Sequence, residues 1–143
     1  MRDKMNTNNS VYALSLKQPW ATLLVHGLKQ MEIRRWATSR RGRILIHAAR
    51  VSDTRPEAWA KVPKELQEAA KVVGGIIGQA ELVGCKLYRC MEGFAADQNL
   101  HLNEPAWFQP PLMYGFTFAR ATQLPFWRCP GWFRFFPVKW QEA

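Results

Sequence analysis

Lys29, Glu32 and Arg34 stand in the order Lys-x-x-Glu-x-Arg, and Arg35, Arg40, Arg41 and Arg43 follow within a few residues. An ammonium, a carboxylate and a guanidinium at this spacing can hold a phosphate or a base edge, with the carboxylate orienting the two cations. By pattern alone the triplet reads first as a solvated ion-pair network on a strand edge, worth little energetically. The arginine run also has two readings. It is either a solubilising edge that discourages strand pairing or a surface that tracks phosphates, for which the planar guanidinium fork is well suited. Trp36 lies inside the run, where an exposed indole would serve as a stacking platform for bases. The clustering favours the phosphate-tracking surface, with Lys17 upstream and Lys29 and Arg50 flanking it.

These residues need elements to hold them. Residues 11–16, VYALSL, read as a short buried strand. Pro19 suits the first turn of a helix, and Trp20, Leu23, Leu24 and Leu28 then form a stripe on one face, with Gly27 as a stop. The period changes in KQMEIRRW, where Met31 and Ile33 alternate with Glu32, Arg34 and Trp36, as in a half-buried strand. TSRRG is a basic turn. RILIHAA is a strand with Ile44, Ile46 and Ala48 on one side and Arg43, Leu45 and His47 on the other.

Residues 52–73 are helical in character, capped by Ser52 or Asp53, with Leu66, Ala69, Ala70 and Val73 on one face. Pro63 divides them into two short helices. IIGQAELVGCKLY is a strand, residues 91–112 a long loop with a helical turn, and YGFTFARATQL and WFRFFPVKW two aromatic-rich strands joined by a Pro-bearing connector. A strand, a helix and further strands with a helical insertion give an α+β fold, most simply a small β-barrel of about five to six strands flanked by short helices.

Composition narrows the function classes. The chain has 143 residues, enough for one core without disulfide or metal staples. Its 20 Lys and Arg against 11 Asp and Glu give a net charge of +9, which speaks to partners rather than to fold. Residues 1–10 are polar and aperiodic and read as a frayed tail, leaving 11–143 as one domain. No apolar stretch follows Lys4 to make a signal peptide, and no apolar run approaches the roughly 20 residues that span a bilayer.

Cys85, Cys90 and Cys129 form no Cys-x-x-Cys pair, and with His26, His47 or His101 they match no standard zinc spacing. Reduced thiols in a cytoplasmic protein, with no metal, cofactor or membrane, are the expectation. No P-loop, Rossmann fingerprint, His-Glu-x-x-His or Gly-x-Ser-x-Gly motif occurs, nor a paired-carboxylate cluster for two-metal nuclease chemistry.

The order SLKQPWATLLVHG, GLKQMEIRRW, RRGRILIHAA resembles the ASCH (activating signal cointegrator homology) domain family, whose fold is similar to the PUA barrel. The matching positions are Ser15, Pro19, Trp20, Gly27, Lys29, Glu32, Arg34, Arg41, Gly42 and Ile46, densest over residues 13–50 and closest to the transcription-coactivator branch. The resemblance implies a cleft beside the first helix, with Trp20 at its floor and Lys29, Glu32 and Arg34 at its mouth. That cleft would suit RNA or single-stranded nucleic acid.

Some relatives are hydrolytic, cleaving RNA or deacylating a modified cytidine. The deacylating ones carry a catalytic threonine three residues after the lysine, where this chain has Glu32. They also use a later strand glutamate, at a position matched by Glu81, which by alternation reads as an outward-facing charge. A carboxylate does not replace a hydroxyl nucleophile without a different mechanism.

The expectation is therefore a monomeric, non-catalytic adaptor or accessory factor, which captures RNA or DNA, single-stranded or at strand ends. Protein partners would be those of a transcription or RNA-processing assembly. Nucleic acid would meet Lys17, Trp20, Lys29, Glu32, Arg34 and Arg35, then Trp36, Arg40, Arg41, Arg43 and His47. His47 alone, on a mixed strand face, reads first as a satisfied structural histidine. About five cations on phosphates would give a slope of log K against log salt near −3.5. The alternative is a metal-independent ribonuclease or nucleoside amidohydrolase in the same cleft, using Lys29, Glu32 and Glu81, with His47 or Tyr114 as further candidate groups. Trp127, Trp132, Phe133, Phe135 and Phe136 are expected in the barrel core, and Lys139 and Trp140 at the edge of a binding surface.

Overall fold

Short apolar runs rich in β-branched and aromatic residues build a six-stranded sheet. The computed structural model describes residues 11–140; the polar start expected to be a tail lies outside the described residues. The strands are β1 (Val11–Leu16), β2 (Met31–Arg34), β3 (Gly42–Ala48), β4 (Gly75–Tyr88), β5 (Met113–Arg128) and β6 (Phe135–Val138). Their order across the sheet is β2-β5-β4-β3-β1-β6. All neighbours are antiparallel except β1 and β3, which run parallel with Ser15 opposite His47. The fold is α+β, a curled half-barrel with a few short helices.

The ends of the sheet, β2 and β6, meet through side chains rather than a ladder. Trp36, just past β2, packs edge-on against Phe116 of β5 at 4.9 Å and Phe135 of β6 at 5.5 Å between ring centroids. Arg34 of β2 donates to the Ser15 carbonyl of β1 at 2.8 Å. Each aromatic pair adds about 0.5–1.5 kcal/mol beyond its burial. Trp36 is thus a closing wedge, half-buried, and not the exposed platform that its place among arginines predicted.

β3 is buried on both faces, as its continuous apolar run requires. Ile44, Ile46 and Ala48 enter the core beneath the first helix, while Leu45 joins a second cluster with Ala13, Ile76 and Phe136 on the other face. Helix α1 (Trp20–Val25) is buried all round and fills the concave side. Gly27, with φ +80°, ends it, and the amides of Leu28 and Lys29 both donate to the Leu23 carbonyl at 3.0 Å. This turn corrects the predicted stripe: Leu28 swings out to 43% exposure, and Lys29 is the side chain carried inward.

The segment 52–73 breaks at Pro63 as expected, into α2 (Pro56–Trp59) and two 3-10 turns at Lys64–Leu66 and Ala69–Lys71. Ser52 and Asp53 do not cap it; Arg55 holds the N-cap position. The expected long loop contains α3 (Met91–Ala96), α4 (Gln98–His101) and a 3-10 turn at Pro105–Trp107. β5 runs into the expected connector as far as Arg128, because Pro125 falls in a register shift between Gln123 and Trp127 that asks no ladder bond of it.

Of the aromatics expected in the core, Phe136 is buried and Phe135 half-buried, but Trp127, Trp132 and Phe133 are exposed. Trp140, expected at a surface, is buried against the second cluster. No helix among the described residues is long and apolar enough to cross a membrane.

Candidate nucleic-acid interface

The inward turn at Gly27 places Lys29 in the wall of a cleft of about 730 Å3 between α1, β2 and the segment after β3. Its side chain is almost fully buried. The ammonium donates to the His101 carbonyl at 2.7 Å, pairs with Glu32 at 3.4 Å and lies 4.9 Å from the centroid of Trp20. The carbonyl and the carboxylate occupy two of its three N–H donors. Burial pushes its pKa below the ordinary lysine value against the pull of Glu32, and the positive charge of Arg34 adds to the lowering.

Glu32 stands between two cations. Arg34 donates to its second oxygen through Nε at 3.1 Å and pairs through Nη2 at 2.9 Å. With Arg34 also holding the Ser15 carbonyl, the Lys-x-x-Glu-x-Arg order becomes a relay from the cleft wall to the far end of the half-barrel.

Trp20 opens α1 and turns its indole N–H to Asp53 Oδ2 at 2.8 Å. Burial opposes ionisation of Asp53. Hydrogen bonds from the Arg55 side chain and amide and from Trp20 outweigh it, and the carboxyl sits at about 2. Arg55 in turn lies 3.6 Å over the ring of Trp107, which meets Trp20 edge-on at 6.2 Å. This wall was not found by sequence reading. Asp53 stands where the sequence predicts a helix cap, and Trp107 falls in a stretch without period; the one signal is the density of Asp, Arg and Trp in SDTRPEAW.

Lys17, Trp20, Lys29, Glu32 and Arg34 thus line one cleft, together with Ser15, Asp53, Arg55 and Asn103. Arg35, Arg40, Arg41 and Arg43 do not line it. Arg35 donates to Gln109 at 2.8 Å, Arg40 stacks on Tyr12 at 4.0 Å, and Arg41 donates to the Thr38 and Arg40 carbonyls. Arg43 stacks on Trp140 at 5.0 Å and donates to Gln79. The run is therefore spread over several surfaces. Glu81 is not brought to Lys29: it faces Arg43 across the β3–β4 ladder and pairs with Arg120 at 2.6 Å, partly exposed. Tyr114 is absent from the cleft wall and packs against the main core.

His47 occupies a neighbouring cavity. Its Nε2 lies 2.8 Å from the Cys129 carbonyl, which only accepts, so Nε2 carries the hydrogen. Burial lowers the pKa and keeps the ring neutral, leaving Nδ1 to accept from the Ser15 hydroxyl at 2.9 Å. Among the described residues no group of three or more His, Cys, Asp or Glu side chains is arranged to hold a metal ion.

A family model for the ASCH domain matches residues 14–125. The chain belongs to the ASCH domain family. This is a PUA-like fold family associated with RNA binding. Over 37 residues this ASCH domain is 54% identical to activating signal cointegrator 1 of mouse (Mus musculus) and of human (Homo sapiens). That stretch is 26% of the chain and 6% of each relative, so the chain spans a small part of those proteins.

Among solved structures it is similar to ASCH from Zymomonas mobilis, with a TM-score of 0.58 and 18% identity over 83% of this chain and 73% of that one. A serine-to-alanine mutant of the same protein matches equally, at 0.58 and 18%, over 82% and 72%. At that identity the likeness speaks for the half-barrel alone.

Proposed function

We propose that this ASCH domain binds single-stranded nucleic acid or strand ends in the Lys29 cleft, without cleaving it, as an adaptor or accessory factor. The observation that carries the reading is the ion set on one cleft wall, with Lys29 buried and Glu32 and Arg34 half-buried. Lys29, Glu32 and Arg34 are fixed by one another and by two backbone carbonyls, beside the indole of Trp20. Such a wall offers a base edge both donors and an acceptor at positions that need no rearrangement, the condition under which polar contacts give specificity. A base edge reaches the cleft wall only when the base is unstacked, which favours single strands over duplex.

A second reading, metal-independent hydrolysis of RNA or a modified nucleoside, is favoured by the lowered pKa of Lys29, since perturbed groups in clefts are candidates for proton transfer. Against it stands Glu32 at the position where deacylating relatives carry threonine, with Glu81 engaged by Arg120 elsewhere. The hydroxyls available at the cleft are those of Ser15, Ser52 and Thr54.

The deciding experiment is fluorescence anisotropy with labelled single-stranded RNA, single-stranded DNA and duplex DNA, each strand checked for length afterwards. Tighter binding of single strands than duplex, with strands intact and affinity lost in Trp20→Ala, supports the adaptor reading. Shortened strands in wild type but not in Lys29→Met would transfer the conclusion to hydrolysis.

A further inference from the structure

The cavity that holds His47 shares Ser15, Ala49 and Val51 with the Lys29 cleft, so the two form one trough with Ser15 at the joint. This second part encloses about 950 Å3. Arg50 and Arg128 lie on its walls, and no aspartate or glutamate does. Both arginines are exposed, and among the described residues neither is paired with a carboxylate.

At its rim Trp132 and Phe133 stack on each other at 5.5 Å with 27° between planes, yet are 67% and 74% exposed. Two adjacent aromatics left this open have no part in the core, and their exposure is unfavourable unless something covers them.

The rim is not loosely attached. The His47 ring donates to the Cys129 carbonyl, and the Cys129 amide donates to the Gly74 carbonyl at 3.3 Å. Gly131 lies so close that a Cβ there would come within 2.7 Å of His47 Cε1 and 3.1 Å of Ser15 Oγ. The backbone just before Trp132 is therefore seated on the Ser15–His47 pair, and the indole is presented from a fixed base.

We propose that this end of the trough is a second nucleotide subsite, in which Trp132 stacks a base and Arg50 and Arg128 hold its phosphate. The proposal rests on the reading of the Lys29 cleft as a single-strand site and adds the place of the neighbouring nucleotide. Guanidinium groups and an open indole together match a phosphate and an unstacked base. A protein partner covering the aromatics would leave the two arginines without a role, so nucleic acid is the better fit.

The test uses a labelled ten-nucleotide single-stranded RNA and the full chain, by anisotropy across a salt series. Trp132 and Arg128 are exposed, so their variants are expected to melt as wild type does. Trp132→Ala is expected to weaken binding by about 5- to 150-fold, the loss that follows removal of one base–aromatic stack, and Trp132→Phe to restore most of it. Arg128→Gln is expected to flatten the slope of log K against log salt by about 0.7. If both variants bind as wild type while Lys29→Met weakens binding, the subsite is overturned, the cleft reading stands, and the aromatic pair belongs to a protein partner. If Trp132→Ala weakens binding while Lys29→Met does not, the subsite stands and the cleft reading falls. A wild-type protein that binds no single strand overturns both.

Discussion

The ammonium of Lys29 has exchanged water for one carbonyl, one carboxylate and the neighbourhood of an indole. Burial is the largest influence on it and lowers its pKa, so the folded state releases this proton at lower pH than the unfolded chain. As pH rises through that window, the unfolded state binds more protons and stability increases; below it, the cost of burying the charge is felt in full. Lys29→Met keeps the volume and removes that charge. Glu32 keeps Arg34 as its partner and the His101 carbonyl keeps the Asn103 side-chain amide, so neither is left as a lone buried group, and we therefore expect the variant to melt within a few degrees of wild type at neutral pH. The alkaline rise in stability attributable to Lys29 should vanish. Single-strand affinity should fall about tenfold or more, the range for a lost hydrogen bond to a charged group. Thermal melts between neutral and alkaline pH, set beside anisotropy on the same variant, check all of this; a collapse in melting temperature at neutral pH would refute it. The spacing around Lys29 was legible as chemistry. Its depth was not, because nothing in Gly27-Leu28-Lys29 states that the αL turn exchanges the leucine for the lysine.

Among the elements, the strands, α1 and the break at Pro63 were legible, whereas the bounds of α2, α3 and α4 were not, for a physical reason. Alternation and β-branched runs set the faces of β1, β3 and β4 within the segments themselves. Helices of four to six residues such as α2, α3 and α4 lie below the length at which propensity or periodicity can sustain them, and tertiary packing holds them instead. The wedge at Trp36 was illegible for a related reason. Its partners, Phe116 and Phe135, become neighbours only once the sheet curls.

The position of α1 depends on one small residue in β4. A Cβ at Gly78 would fall 2.6 Å from Val25 of the helix and 2.7 Å from the Thr122 carbonyl of β5, and backbone on the sheet side cannot give way. Gly78→Ala should therefore displace α1, at about 1–3 kcal/mol for overpacking. Because Trp20 begins that helix, the variant should also lose affinity for single strands despite lying outside the cleft. Denaturant unfolding with anisotropy tests the coupling; lost stability with unchanged affinity would show that the cleft does not depend on the seat of α1.

At the scale of the whole molecule the question is how much of the +9 charge a bound strand feels. The arginine run looked continuous in the sequence, and five cations on phosphates would give a slope near −3.5. The folded chain divides that run among stacks on Tyr12 and Trp140 and hydrogen bonds to Gln109, Gln79 and backbone carbonyls. Within the trough, Lys29 and Arg34 share the single negative charge of Glu32, and Arg55 is paired with Asp53, so their engagement by a ligand releases fewer condensed counterions than that of unpaired cations. Lys17, Arg50 and Arg128 are the trough cations without a carboxylate partner among the described residues. Three phosphate contacts on a single strand give a slope of about −2. Reversing Arg40 and Arg41 to Glu should then weaken binding at low salt through the general field, with the effect fading as the Debye length shortens to about 8 Å near physiological ionic strength, and should leave the slope near −2. A slope near −3.5 in the wild type, falling by about 1.4 on the double reversal, would mean that the strand leaves the trough and follows the arginine run across the surface.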